Sequence, residues 1–186
     1  RYFSHKSFKT KRIYKLLGLF FGSFNLSGPV IPWVAVHREH HRYADTENDP
    51  HNPTLKGKIF VHFFPYFYIP NLSYAKDLLL DKDCILQNKY YFLFHFSILS
   101  LLFVVPFEWM FSFLFCPFVL TWNIGNLTNS FLHKEHGPIN NKVLSFLIGG
   151  EGSHENHHKF PKRDCFNDKI FYDLGYWLFI NHIKTK

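Results

Sequence analysis

The chain has 186 residues, enough for one domain with one sizeable core and too few for two well-buried ones. Its three cysteines, Cys84, Cys116 and Cys165, are widely spaced without any C-x-x-C, which excludes a disulfide scaffold, an iron–sulfur cluster and a thiolate zinc site. Thirteen histidines, an aromatic content of 20% and a formal charge of +7 are the distinctive features; the charge suits anionic headgroups, a phosphate-bearing substrate, an acidic redox partner or nucleic acid, and does not choose among them.

The stretch 1–12 is rich in Lys and Arg with no cleavage motif after it, so no secretory signal is read there. The chain opens on Arg1, and its single Met is Met110, so its start reads as processed, engineered or missing. Leu16–Leu26 is apolar but short and broken by Gly18 and Gly22, with Gly28, Pro29 and Pro32 beyond; it predicts an interfacial or re-entrant segment over 16–34. Next comes His37-Arg38-Glu39-His40-His41. On a helix, positions i, i+3 and i+4 share one face, so His37, His40 and His41 point the same way. The aromatic, proline-containing region Pro50–Leu80 reads as a connection along a membrane surface.

From Tyr90 to Trp122 the chain runs 33 residues with one charge, Glu108. A straight helix of that length would reach about 50 Å, against a hydrocarbon core of about 30 Å. Pro106 and Glu108 at its centre therefore predict a turn, giving a transmembrane hairpin over about 90–129 with spans Tyr90–Val105 and Trp109–Asn129. Lys76, Lys82 and Lys89 before it, and Lys134 and Lys142 after it, place both ends on the cytoplasmic side. Residues 1–89 and 130–186 then form a cytoplasmic helical cap, ending in an amphipathic stretch around Ile170–Ile183. The expected fold is all-α, a single integral membrane domain over 1–186.

The spacing H-x-x-H-H returns 117 residues after the first triplet, as His154, His157 and His158. Six same-face imidazoles exceed what one tetrahedral zinc ion uses, so two metal ions are the economical reading, with imidazole suiting iron, copper, zinc or nickel. Neither triplet is read as a zinc-protease motif. Asn129 and His133, spaced i and i+4 at the end of the second span, add a possible ligand that the hairpin would deliver to the same side. His136 is an additional histidine with an interface or proton-transfer role at most.

With these residues assembled, the sequence resembles the membrane fatty-acyl desaturases of the acyl-CoA Δ9 type. The resemblance runs through His37–Pro53, Asn129–His133 and Gly150–Pro161, in the family's order. Arg1–His5 is similar to the last five positions of the family's H-x-x-x-x-H box, which implies a chain cut inside that box, one histidine and one membrane hairpin short. The resemblance implies two iron ions held by His5, His37, His40, His41, His133, His154, His157 and His158, with Asn129 acting through a bound water. It implies a reaction using O2 and two external electrons that leaves a cis double bond, at Δ9, in a saturated acyl chain. Trp33, one turn before His37, is the candidate lining of an acyl tunnel; Asp45, Glu47, Asp49 and Glu151 are candidate acceptors for imidazole N–H groups. Ala35-Val36 stand where animal acyl-CoA enzymes carry Arg-Asp, closer to bacterial members, so acyl-CoA, acyl carrier protein and lipid-linked chains all stay open as substrates. Electrons would come from a separate cytochrome b5 or ferredoxin type of donor; nucleic acid is not among the expected partners. A histidine-box hydroxylase or oxygenase, or a non-catalytic membrane metal- or lipid-binding paralogue, is the alternative.

Overall fold

The computed structural model describes residues 1–25, 27–63 and 68–185. Leu26, inside the expected interfacial segment, and 64–67, inside the expected surface connection, lie outside them. The described chain is mostly helical. Short helix α1 (Tyr2–His5) precedes α2 (Arg12–Ser23) and α3 (Val30–Tyr43); α4 (Pro53–Lys56) and α5 (Lys58–Phe63) follow. Then come two long helices, α6 (Lys82–Ser100) and α7 (Phe107–Phe131), and the short α8 (Lys142–Leu147) and α9 (His154–Lys159). The expectation of an all-α chain needs a small amendment, because four two-residue strands form two antiparallel pairs. Strand β1 (Lys9–Thr10) pairs with β4 (Lys184–Thr185), and β2 (His133–Lys134) with β3 (Gly137–Pro138).

Two long helices lie on either side of a turn, with bounds different from those expected. The first helix starts at Lys82 rather than Tyr90, because Asp81 caps it: the carboxylate accepts from the backbone N–H of Asp83 (3.0 Å) and Cys84 (3.3 Å). Hydrophobicity begins at Tyr90, but the cap begins the helix. The chain turns at 104–106, where Pro106 ends one run and opens the next. Helix α7 contains a π-turn over Phe111–Phe115, immediately before Cys116-Pro117. Pro117 has no N–H to give to the previous turn, and the wider ring relieves its clash there. At 25 residues α7 is long and apolar enough to cross a membrane, and only 17% of its apolar window is buried within the chain. A core helix of a soluble protein would be mostly covered; α7 instead presents Phe107, Trp109, Phe113, Val119 and Leu120, and α6 presents Phe92, Leu93 and Phe96. Phe24 bridges the two long helices, its ring 5.1 Å from Phe94 and 5.6 Å from Phe118.

The stretch 16–34 is not one unit: α2 ends at Ser23, and α3 opens at Val30, so Trp33 belongs to the same helix as the first triplet. Helix α3 carries two patterned faces. Ile31, Val34 and Ala35 enter a core with Leu19, Ala75, Leu78 and Cys84, and the same spacing six residues later gives His37, His40 and His41. Burying one face thereby aims the other. Val30 and Gly28 donate their N–H groups to Gln87 Oε1 (3.0 Å) and Tyr91 Oη (3.2 Å), which fixes the start of α3 on α6. At the cap end of α6, Asp81 and Asp83 hold Lys15 of α2 at 2.9 and 2.6 Å.

Asp81→Ala removes the cap of α6 and one partner of Lys15, and is expected to lower stability by about 1 kcal/mol. Thermal unfolding of the detergent-solubilised protein followed by circular dichroism checks it; Asp81→Asn, which keeps the capping oxygen, should lose less.

Candidate metal centre

Eight histidines from four places in the chain converge. His5, His37, His41 and His157 form one group of four, and His40, His133, His154 and His158 a second; within each, the candidate ligand nitrogens lie within 4.8 Å of one another. These are the eight histidines marked from sequence. The groups adjoin, since His41 stacks on His158 with ring centroids 4.1 Å apart. Helices α3 and α9 each contribute to both groups, as the i, i+3, i+4 spacing allows.

The imidazoles face one another nitrogen to nitrogen. His5 and His37 Nε2 are 2.9 Å apart, His41 and His157 2.8 Å, and His133 and His154 2.8 Å. His40 and His158 Nε2 are 3.3 Å apart. His40 Nδ1 donates to Asp49 (2.7 Å) and His133 Nδ1 to Asp45 (2.9 Å). In a neutral ring that leaves Nε2 as a lone pair aimed into the group, the carboxylate–histidine arrangement found behind metal ligands. The Nδ1 atoms of His154 and His157 are buried with no such partner. Burial pushes His5 down to about 4 and His41 to about 2, and also lowers His37, His133, His154, His157 and His158. Uncharged imidazoles are the ligating form, so the donor set fits two borderline cations.

Two of the four expected carboxylates, Asp45 and Asp49, reach a ring. Asp45 does so from a left-handed backbone (φ 63°) that an L residue rarely adopts. Glu47 instead lines a surface cavity of about 400 Å³ with Asp45 and Lys134, and Glu151 pairs with Arg1. Asn129 lies half-buried one turn before His133, and His136 is exposed in the turn between β2 and β3. Trp33 stacks on His37 at 5.1 Å with 10° between the planes and is 39% exposed, so it backs a histidine ring as well as bordering open space. The rejection of a protease motif needs correcting, because His154-Glu155-Asn156-His157-His158 does satisfy H-E-x-x-H. Geometry separates the two: Glu155 is exposed and accepts from Asn140 Nδ2 (3.0 Å), while His154 and His158 share four-histidine company.

Several supporting residues carry no signal at the level of ligand spacing. Arg38, between the ligands of the first triplet, donates to the carbonyls of Ser4 (2.6 Å), Phe3 (2.9 Å) and Tyr74 (2.8 Å), and pairs with Asp77. It thus docks α1, and with it His5, against α3. Arg1 pairs with fully buried Asp173 (2.8 Å) and lies 3.7 Å over the ring of Phe166, which packs 4.5 Å from His157. Gly150 and Gly152 leave room for this assembly. A Cβ on Gly150 would collide with the Asp173 carboxylate, and one on Gly152 with the backbone of Ser145. His51, buried beside His40 with ring centroids 5.7 Å apart and lowered to about 3 by burial, is a further histidine at the site.

Arg38→Lys keeps the charge but loses the fork. Hydrogen exchange at residues 2–7 is expected to rise while that of α6 and α7 stays unchanged; unaltered protection at 2–7 would sink the docking role. Acid should also unfold the metal-free protein early. Unfolded histidines bind protons below about 6.5 and the buried ones do not, so stability is full above that pH and falls as pH drops toward about 4. Denaturant midpoints measured between pH 7.5 and 4.5 check the sign.

The sequence profile of the fatty acid desaturase family matches residues 1–167. The Acyl-CoA Delta-12 desaturase of Tribolium castaneum is 29% identical, over 87% of this chain and 52% of its own length. The Hex-5-enoyl-[acyl-carrier protein] acetylenase of Moorena producens (strain JHB) is 30% identical, over 96% of this chain and 66% of its own length. The Delta(9)-fatty-acid desaturase fat-6 of Caenorhabditis elegans is 29% identical, over 87% and 55%. The chain thus spans between about half and two thirds of the length of these relatives. With the profile covering all eight converging histidines, the chain belongs to the fatty acid desaturase family.

Proposed function

We propose that this chain forms the metal-binding and membrane-anchoring part of an O2-dependent fatty-acyl desaturase. The observation that carries the reading is the convergence of eight imidazoles in two adjoining groups of four. Two iron ions are the proposed occupants, one held by His5, His37, His41 and His157, the other by His40, His133, His154 and His158, with Asn129 contributing through a water. Bound iron would supply the oxidising power of O2 needed to break unactivated C–H bonds. In balance, a –CH2–CH2– unit, O2, two electrons and two protons give –CH=CH– and two waters.

The protein's own part is orientation. Asp45 and Asp49 fix the tautomers of His133 and His40, Arg38 and Arg1 hold α1 against α3 and the segment after α9, and Trp33 steadies the His37 ring. Mid-chain methylenes are chemically alike, so the position of the double bond depends on where the acyl chain is held. Trp33 is the proposed wall nearest the metals. Phe21, Phe24, Phe113 and Phe118 surround an aromatic cavity of about 310 Å³ between α2 and α7, of suitable character for an acyl tail. The protein sits in the membrane through α6 and α7 with its metal face on the cytoplasmic side, and draws electrons from a separate cytochrome b5 or ferredoxin type of donor. Acyl-CoA and acyl-carrier-protein substrates are both represented in the names of the relatives; Δ9 is the proposed position.

The test is lipid profiling of a desaturase-deficient host expressing the complete reading frame. A product lighter than its substrate by two hydrogens, abolished by His157→Ala, is the expected result. A product heavier by one oxygen would make the protein a hydroxylase, and unchanged desaturation in His157→Ala would overturn the ligand assignment.

A further inference from the structure

A buried histidine outside both groups sits where it can set one of them. His62, on α5, is 8% exposed, and both its ring nitrogens meet side chains of α7: Nδ1 lies 3.3 Å from Ser130 Oγ, and Nε2 lies 3.1 Å from the Asn123 side-chain amide. Asn123 Oδ1 accepts from Nε2–H, so in a neutral ring Nδ1 is the acceptor for the Ser130 hydroxyl, whose oxygen also lies 2.7 Å from the Asn126 carbonyl. Asn123 and Ser130 are seven residues apart, two turns on one face of α7. A single ring spanning them opposes both rotation and sliding of the helix. His133 lies three residues beyond Ser130, directly after α7 ends at Phe131, and Asn129 is its neighbour on the helix.

The element bearing His62 is itself fixed to the site. Asp49, the acceptor for His40, is followed by Asn52, whose side chain caps α4 by accepting from Thr54 (2.9 Å) and Leu55 (3.0 Å). Gly57, in the left-handed region at φ 84°, then redirects the chain into α5. The segment from Asp45 to His62 therefore grips the end of α7 twice, by the Asp45 carboxylate on the His133 ring and by His62 two turns back along the helix. In a helix exposed to lipid, interhelical hydrogen bonds of this kind are a main means of holding register.

We propose that His62 is a positioning residue for the second group, setting the register of α7 so that His133 and Asn129 face His40, His154 and His158. This rests on the proposed function, and it requires the two groups to respond differently. Two variants of the complete protein, purified in detergent and loaded with ferrous iron, test it. His62→Phe keeps the ring shape and loses both bonds; its second group is expected to lose roughly 10–100-fold in iron affinity, so that bound iron falls from two per chain to one at limiting metal. His62→Asn, whose side-chain oxygen can take the place of Nδ1 and accept from the Ser130 hydroxyl, should restore the bond to Ser130 and the second iron. Iron content by mass spectrometry, and Mössbauer spectra showing whether one site is lost or both, are the readouts. Two irons with an unchanged spectrum in His62→Phe would overturn the proposal, as would equal loss of both irons together with helix content in both variants. A wild-type protein that binds no iron would overturn the functional reading itself, and this inference with it.

Discussion

The arrangement depends on a desolvation constraint. Imidazoles face one another nitrogen to nitrogen in a buried and half-buried cluster, with much of the water that would ordinarily solvate them displaced. Left alone such a cluster favours opening, since each ring would gain hydrogen bonds in solvent. The surrounding structure is organised against that outcome. Two rings are tied to carboxylates, α3 is held by an apolar core on its neighbouring face, and two arginine forks clamp the chain from outside. A cation bound by lone pairs removes the repulsion at its source, which makes metal affinity and folding two aspects of one equilibrium.

The same logic explains why the polar anchors lie at the cap ends of the long helices. Asp81, Lys15, Asp83 and Arg12 meet at the start of α6, while the outward faces beyond are Phe, Leu and Val. The ion pairs gather at the cap end, and the apolar side chains occupy the outward faces beyond it. The π-turn before Pro117 locally changes the twist of α7 and adjoins the aromatic cavity against Phe21 and Phe24, so a backbone adjustment forced by one proline also shapes the apolar space beside it.

How much of this was legible depended on the range of the interaction. Two triplets at helical spacing fixed the direction of six rings from local geometry alone, and a proline in a long apolar run marked the turn. His5 and His133 came from resemblance and topology rather than spacing. Helix bounds were misjudged where a cap outweighed hydrophobicity, as at Asp81. Partners at long sequence distance left no periodic trace: Arg1 meets Asp173 and Arg38 meets the Phe3 carbonyl through contacts that no local pattern encodes. Of the acidic candidates, only Asp45 and Asp49 reach imidazoles, because the turn following α3 brings those two carboxylates back over it and leaves Glu47 at the surface.

The pairing of Lys9–Thr10 with Lys184–Thr185 has a temporal consequence. His5 and His157 stand 152 positions apart, and neither quartet has its full membership before residue 157 is made. During synthesis, α6 and α7 are complete while the first triplet still waits for its counterparts. The strap between the two ends closes only after residue 185 has emerged, so assembly finishes with the most distant contacts, the slowest kind to form. The eight-histidine arrangement therefore forms late relative to α6 and α7, and the open form must be kept from aggregating until the Lys184–Thr185 strand pairs with Lys9–Thr10.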